Sequence, residues 1–209
     1  RGATKELNSD STNAESTDAN GVDDLGVANG FGLGTGANGY NDSGEDFVAY
    51  CWKANGAGSA NADGSVTTTA TSVDTTSGVS ISTFTSPASG TFTVGHGLTN
   101  APGFVIIKQT DAVGSWWAWI EGMAANQYLV LNTTAAYATS TAVWNNTLPS
   151  ATVVSSTSGG TWLAASKVHV MYCFEAIEGF SKFGIFTGNG STTDNAFVHC
   201  GFTPAFVMI

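Results

Sequence analysis

The sequence contains few charged residues. Only 11% of its 209 residues are Asp, Glu, Lys or Arg, well below the roughly 25% that is typical of soluble domains. Ser, Thr, Gly and Asn must therefore supply most of the polar surface, and these residues favour strands and turns over helices. We expect very little helix.

Basic residues are especially scarce. Six Lys and Arg stand against 16 Asp and Glu, which gives a formal net charge of -10. A surface of this charge repels phosphate backbones and anionic lipid headgroups, so nucleic acid and membrane surfaces are not expected as partners. No apolar run approaches the roughly 20 residues that cross a bilayer as a helix.

Cysteine is also rare, and its three copies, Cys51, Cys173 and Cys200, form no CxxC motif. An odd count at these spacings does not indicate a disulfide framework. We predict three reduced thiols that are buried as small apolar residues. The spacings of the cysteines and histidines match no zinc-ligand pattern, so neither a metal nor a cofactor is predicted.

The acidic loop 18–24 leaves calcium binding open. Asp18, Asn20, Asp23 and Asp24 place several oxygen ligands around Gly21. The loop lacks the EF-hand spacing and its terminal Glu, which favours a solvated acidic loop.

What the sequence does contain is an internal repeat. Val48–Ala54 recurs as Val170–Ala176 with Tyr and Cys in matching places, and Leu7-Asn8 recurs as Leu131-Asn132. Three further landmarks recur in the same order: Phe84 and Phe186, His96 and His199, and Pro102 and Pro204 with the apolar runs that follow them. Shared landmarks in a shared order predict that Cys51 superposes on Cys173 and Pro102 on Pro204.

The repeat predicts two related β units, 1–108 and 109–209. The first is longer because of additional residues within 55–80, which indicate a linker or an edge hairpin. The first unit is expected to be incomplete at its start and the second to continue beyond residue 209, so that the chain would be part of a longer polypeptide.

Short apolar or alternating segments between Gly, Asn and Pro signals predict strands. The predicted strands are Phe47–Lys53, Val79–Thr85, Phe92–Val94, Phe104–Lys108, Trp116–Ile120, Tyr128–Asn132, Val168–Ala176, Lys182–Thr187, Ala196–His199 and Ala205–Ile209. The runs at 104–107 and 206–209 are continuously apolar, so we place them centrally, buried on both faces. Many short strands predict an all-β fold of sandwich or jelly-roll-like units.

The aromatic cluster Trp116, Trp117 and Trp119 is the only candidate contact site. Such a cluster could stack on a sugar, although aromatic side chains more often serve core or intersubunit packing. Alternation along a strand predicts Trp117 and Trp119 on one face and Trp116 on the other. An exposed concave position would favour sugar binding, and a buried position would favour a scaffold.

Several motifs together resemble an uncharacterised phage domain family. They are Arg1–Leu7, Asn13–Glu15, Gly30–Gly34, Phe47–Gly56, Trp144–Thr147, Gly179–Gly184, Thr187–Ser191 and Gly201–Val207. That family typically follows laminin-G or concanavalin-like domains in marine phage tail and virion proteins. The resemblance implies a location in a virion and carries no catalytic residues.

The main enzymatic alternative is a polysaccharide-depolymerising or carbohydrate-binding appendage domain. Glycoside hydrolysis needs a pair of carboxylates, but Glu175 and Glu178 lie three apart at a strand end, where they would point to opposite faces. No GxSxG motif accompanies His96, His169 and His199 as a nucleophile elbow. No catalytic residue is therefore predicted.

The absence of catalytic motifs predicts a non-enzymatic protein, and the resemblance implies a structural protein of a bacteriophage virion, part of a tail fibre or similar appendage with a structural or host-attachment role. The resemblance also implies its expected partners, which are copies of itself, as a homotrimer or higher oligomer, and other virion proteins. A host surface glycan is a further candidate partner. The low charge content and the apolar strips predict that neighbouring chains bury an interface area above the roughly 2,000 Å² at which obligate contacts begin.

Overall fold

The structure, a computed structural model, describes residues 2–35 and 40–209. Arg1, the first residue of one family-like motif, and positions 36–39 of the predicted first unit lie outside the described residues. The described part of the chain contains strands and no helix, which confirms the all-β prediction. No helix in these ranges is therefore long and apolar enough to cross a membrane.

Thirteen strands are present in the described ranges. They are β1 Lys5–Glu6, β2 Ser16–Thr17, β3 Val22–Asp24, β4 Gly32–Leu33, β5 Ala70–Asp74, β6 Val79–Thr85, β7 Gly90–Gly95, β8 Phe104–Gln109, β9 Trp116–Ile120, β10 Gln127–Val130, β11 Ala138–Thr139, β12 Val153–Ser158 and β13 Val168–Phe174. The main sheet has seven strands in the order β11-β10-β9-β8-β13-β6-β5, and three two-stranded sheets join β12 to β7, β1 to β2 and β3 to β4. All pairings between these strands are antiparallel.

The core lies between the main sheet and the β7–β12 pair, which together form a sandwich. Alternate residues of each strand face inward because side chains alternate across a strand. The inward set is Phe84, Phe92, Val94, Leu98, Val105, Ile107, Trp119, Met123, Val143, Trp144, Val154, Leu163, Met171 and Cys173. Burial of this apolar set is the main source of the stability of the fold.

Hydroxyl groups replace apolar side chains where β6 faces β7. The Ser80 and Ser82 hydroxyls donate to the carbonyl oxygens of His96 and Gly95. The Thr71 hydroxyl shares a further hydrogen bond of 3.0 Å with that of Ser82. Burying a polar group costs little free energy when the group is hydrogen-bonded. The hydroxyls of these Ser and Thr residues can therefore be buried in this part of the core.

Six of the ten predicted strands are observed. The predictions at 79–85, 92–94, 104–108, 116–120, 128–132 and 168–176 correspond to β6, β7, β8, β9, β10 and β13, with bounds that differ by a few residues at most. β8 is central, between β9 and β13, as its continuous apolar run predicted. Within 55–80, for which a linker and an edge hairpin were both open, β5 forms an antiparallel hairpin with β6 at the sheet edge.

The other four strand predictions are wrong. Phe47–Lys53, Lys182–Thr187, Ala196–His199 and Ala205–Ile209 have no strand assignment, and the run at 206–209 is exposed rather than central. Sequence pattern alone does not make a strand, because a strand requires a paired neighbour and a face to bury. None of these segments is paired in the structure.

The expected superposition of the two landmark pairs is also not observed. Cys173 is buried in β13, whereas Cys51 is exposed outside any strand. Pro102 precedes β8, whereas residues 205–209 after Pro204 form no strand. The main sheet takes β5, β6 and β8 from residues 1–109 and the remaining strands from residues 116–174. The division into units 1–108 and 109–209 itself stays a prediction.

Candidate functional site: the docking surface at Lys108 and Trp116

Lys108 of β8 and Trp116 of β9 are opposite each other on the outer face of the main sheet, and residues 8–15 lie across them. The indole Nε1 of Trp116 donates to the carbonyl oxygens of Asn8 and Ser11, each at 3.0 Å. The Lys108 ammonium donates to the Thr12 carbonyl at 3.3 Å. We call Lys108, Trp116 and residues 8–15 the docking surface.

Main-chain hydrogen bonds extend this contact. The amide of Gly114 donates to the Thr12 carbonyl at 2.9 Å, and the amide of Glu15 donates to the Thr110 carbonyl at 2.8 Å. In these five hydrogen bonds every group from residues 8–15 is a main-chain group. The contact therefore depends on the backbone path of residues 8–15 more than on their side chains. Such an arrangement holds a neighbouring segment in place.

The Lys108 ammonium is fully buried. It also donates to the Gln109 carbonyl at 2.7 Å and lies 6.0 Å from the centre of a Trp116 ring. Burial disfavours the charged form and lowers the pKa of Lys108 below its usual value. A lysine of lowered pKa can act as a nucleophile in an open cavity. Here residues 8–15 cover the amine, and the Thr12 and Gln109 carbonyl groups are its acceptors, which suits a structural role.

The three tryptophans of the predicted aromatic site divide between the two faces of β9 as the alternation predicted. Trp119 belongs to the inner core and Trp117 packs against it, whereas Trp116 lies on the outer face. Trp116 and Trp119 are each 6% exposed and Trp117 is half-buried. All three serve packing within this chain, and a contact of any of them with a sugar or another subunit stays a prediction.

The candidate acid and base residues are not brought together into one site. Glu175 is buried, where one carboxylate oxygen accepts the Thr99 amide at 3.1 Å and the other accepts the Asn100 side-chain amide. Glu178 borders a separate open cleft of about 330 Å³ that is also lined by His199 and Cys200. The Glu175 carboxylate fixes the turn after β7, which is a structural task.

The two buried histidines are held by main-chain groups. In His96, Nδ1 accepts the Leu98 amide at 3.1 Å and Nε2 faces the Ser150 carbonyl at 3.2 Å, which fixes the neutral tautomer with the proton on Nε2. In His169, Nδ1 faces the Lys167 carbonyl at 2.9 Å, and Nε2 is buried with no hydrogen-bond partner among residues 2–35 and 40–209. Desolvation lowers the pKa of both imidazoles, that of His169 to about 4.

The cysteine prediction is confirmed in one respect and wrong in another. All three thiols are free. Only Cys173 is buried, however, and burial raises the pKa of its thiol. Cys51 is exposed because the segment that contains it is not covered by a second layer.

The acidic loop 18–24 uses its carboxylates on its own backbone. Asp18 accepts the Asn20 amide at 2.8 Å, and Asp24 accepts the Gly26 amide at 2.6 Å. Within residues 2–35 and 40–209, no group of three or more His, Cys, Asp or Glu side chains is arranged to hold a metal ion.

The sequence alone did not identify the docking surface, although two signals pointed toward it. Lys108 is an isolated charge that directly follows the apolar run of β8. The repeated Leu-Asn motif includes both Asn8 and Asn132, and both residues contact Trp116. The Asn132 side-chain oxygen accepts a hydrogen bond from the Trp116 main-chain amide at 2.9 Å, and the Asn8 carbonyl accepts one from the Trp116 indole. Their approach could not be foreseen, because Asn8 and Asn132 are 124 positions apart in sequence.

We predict that Trp116→Phe loosens residues 8–15 while leaving the sandwich folded. The substitution keeps an aromatic ring but removes the donor to Asn8 and Ser11, each hydrogen bond being worth about 0.5–1.5 kcal/mol. Hydrogen–deuterium exchange should therefore become faster by about tenfold in this segment alone.

Trp117→Phe is the matched control, because the Trp117 Nε1 is buried and has no hydrogen-bond partner in the described part of the chain. It shortens a side chain in the same strand without removing a hydrogen bond. Equal exchange rates at residues 8–15 in the two variants would contradict the role given to the Trp116 indole.

The fold and the docking surface together define an all-β sandwich domain with flanking segments that pack on its main sheet. The chain belongs to the family described as a domain of unknown function, DUF7483, whose model matches residues 1–209. No curated protein and no solved structure matches the chain.

Proposed function

We propose that this chain is a non-enzymatic structural protein of a bacteriophage virion, part of a tail fibre or similar appendage with a structural or host-attachment role. The docking surface is the observation that carries the proposal. A segment outside the sandwich is fixed on the sheet by Lys108 and Trp116 through main-chain carbonyl groups. A fixed contact of this kind between a flanking segment and a sheet suits the joining of successive modules in a repetitive assembly.

Two properties of the sequence support the same role. Its repeated landmarks suit a modular polymer, and its motifs resemble those of a phage tail and virion family. Low charge with Ser- and Thr-rich strands gives a surface that can be covered by neighbours at little desolvation cost, because few charged groups must be removed from water.

The proposed partners are further copies of the chain, as a trimer or higher oligomer, and other virion proteins. Several large apolar side chains outside the sandwich remain exposed, among them Trp52 at 57% and Phe197 at 86%. Exposed apolar groups of this size favour protein partners. The acidic charge disfavours nucleic acid.

Immunogold electron microscopy of purified phage particles tests the location. Fab fragments raised against the sandwich domain should label an appendage at a fixed position on each particle, and pre-absorption of the Fab with the purified domain should abolish the label. Detection of the protein only in the lysate, with unlabelled particles, would contradict the virion role.

Incubation of the purified protein with host capsular polysaccharide separates attachment from catalysis. A structural or attachment role predicts no release of oligosaccharides by mass spectrometry. Release of oligosaccharides would instead support the depolymerase alternative.

A further inference from the structure

The two edge strands of the main sheet, β11 and β5, are protected from pairing in different ways. β11 is only two residues long, and so short an edge strand offers little backbone to another chain. β5 has five residues, with no proline and a single charged residue, Asp74. The sequence of β5 therefore supplies little of the protection that edge strands usually carry.

The segment 53–59 lies along the outer edge of β5, and we call it the edge strap. Ser59 and Thr71 exchange two main-chain hydrogen bonds. The Ser59 amide donates to the Thr71 carbonyl at 3.1 Å, and the Thr71 amide donates to the Ser59 carbonyl at 2.7 Å. The edge strap thus occupies backbone groups of β5 that point away from β6.

Two further contacts extend the cover along β5. The Asn55 amide donates to the Ser72 hydroxyl at 2.9 Å. The Lys53 ammonium forms an ion pair with the Asp74 carboxylate at 3.0 Å. The edge strap therefore reaches from Thr71 to the last residue of β5.

Gly58 permits this close approach. A Cβ atom at position 58 would lie 2.5 Å from the Thr71 carbonyl oxygen, which is too close for two packed atoms. Gly58 also has a φ of 74°, which residues with a side chain rarely adopt. A side chain at position 58 would therefore push the edge strap away from β5.

The edge strap is held by few contacts. Residues 55–59 are exposed, and the Lys53 side chain is 81% exposed. An ion pair with so exposed a partner adds little stability. Segments with few buried contacts open more readily than core strands, so the edge strap can separate from β5 while the sandwich stays folded.

The uncovered edge of β5 is complementary to a second copy of itself. Alternate residues of a strand direct their amide and carbonyl groups to the same side, so Val73 points outward as Thr71 does. In two antiparallel copies of β5 centred on Ser72, Thr71 of each copy is opposite Val73 of the other. These outward groups can then form the hydrogen bonds of an antiparallel ladder.

The charges also fit this arrangement. In the register centred on Ser72, Asp74 of each copy is opposite Ala70 of the other. Like charges directly opposite each other would destabilise the pair, and this register avoids them. A second copy of the chain therefore suits the edge that the strap covers.

We propose that the edge strap is an autoinhibitory contact, and that its release lets β5 pair antiparallel with β5 of a second copy about a two-fold axis at Ser72. The two main sheets then form one continuous sheet. The proposal goes beyond the virion role and does not depend on it, because the pairing is measured with the purified protein and the location with phage particles.

Oxidative cross-linking tests the pairing. In a Cys51→Ser, Cys200→Ser background, Ser72→Cys places one thiol of each copy at the two-fold axis. Opposed residues that are not hydrogen-bonded have Cα atoms about 4.5 Å apart, within the range that a disulfide spans. Addition of Gly58→Ala should raise the rate of disulfide-linked dimer formation about tenfold, as measured by non-reducing electrophoresis, because it releases the strap.

Gly56→Ala is the matched control for Gly58→Ala. Gly56 also has a positive φ, of 63°, but a Cβ atom there would meet nothing within 4 Å. It therefore carries similar backbone strain without touching β5, and dimer formation should stay at the rate of Ser72→Cys alone. Equal rates for the position 56 and position 58 variants would overturn the autoinhibition.

Two further variants cover the register and the folding of the protein. Ala70→Cys in place of Ser72→Cys should form little dimer, because the two thiols would be four residues, about 13 Å, apart along the strands. Equal rates for positions 70 and 72 would overturn the register. Ser59→Pro removes the amide donor to Thr71 and should act as Gly58→Ala does. It decides the question if the thermal melt of Gly58→Ala differs from that of the parent, and no increase in rate would then overturn the proposal.

Discussion

Phe84→Ala is expected to destabilise the sandwich by about 3–5 kcal/mol, the range for removing a fully buried aromatic ring. Phe84 is 0% exposed in β6, and its ring packs against Phe92 and stacks on His169 with centroids 5.9 and 5.3 Å away. Its loss opens a cavity between the two layers where they meet. Urea denaturation, followed by tryptophan fluorescence, measures the change in the free energy of unfolding.

Phe186→Ala is the control, because Phe186 is the sequence counterpart of Phe84 but is 51% exposed. Its removal creates no cavity and should cost less than about 1 kcal/mol. A comparable loss in both variants would show that residues 181–187 contribute to the cooperative core as much as β6 does. That result would contradict the placement of the core in the 70–174 sandwich.

Acidification from pH 6.5 to pH 4 is expected to remove about 3 kcal/mol of stability through His169 alone. The folded-state pKa of His169 is about 4, below its ordinary value of 6.5, because burial disfavours the imidazolium. Between these values the unfolded state binds more protons than the folded state, so stability is full above pH 6.5 and falls as the pH decreases. His96, whose pKa is also lowered by burial, adds to the same trend.

Nearby charges make only secondary contributions to the pKa of His169. Asp111 favours its protonated form and Lys108 disfavours it, but desolvation outweighs both. Protonation would also place a second N–H at Nε2, which is buried and has no acceptor among the residues that the structure describes.

His169→Phe tests this linkage, because phenylalanine preserves the stack on Phe84 and cannot titrate. Its free energy of unfolding, measured by denaturant titration at a series of pH values, should show a shallower slope between pH 4 and 6.5 than the parent protein. An unchanged slope would assign the acid sensitivity to other groups. The absolute stability at neutral pH is not the readout, since the variant also loses the hydrogen bond to the Lys167 carbonyl.

Prediction from sequence succeeded where a strand carries its own apolar signal. β8 and β9 contain continuous apolar or aromatic runs, and the alternation of Trp116 and Trp117 correctly assigned their faces. It missed β12, Val153–Ser158, because four of its six residues are Ser or Thr. The Ser156 hydroxyl donates to the Val143 carbonyl at 2.7 Å, an interaction that appears only once the layers meet.

The failed strand predictions have the opposite cause. Residues 47–53 have a stronger strand pattern than β12, yet they lack the paired neighbours that β13 has on both sides. Pairing is a property of the assembled sheet and not of the segment. The docking surface was beyond prediction for the same reason, since it joins Asn8 to Trp116 across 108 positions of sequence.

β5 and β13 are the first and last strands of the main sheet in sequence, and their relative direction determines how the domain would respond to tension along the chain. β5 and β13 each pair antiparallel with β6, so they run in the same direction. Ala70 and Val170 are both opposite Thr83, whereas Asp74 and Phe174 are both opposite Val79. A pull that enters at Ala70 and leaves at Phe174 therefore acts parallel to the strands. Because the ladder hydrogen bonds are perpendicular to that direction, they are loaded together in shear rather than opened one at a time, which is the mechanically resistant geometry.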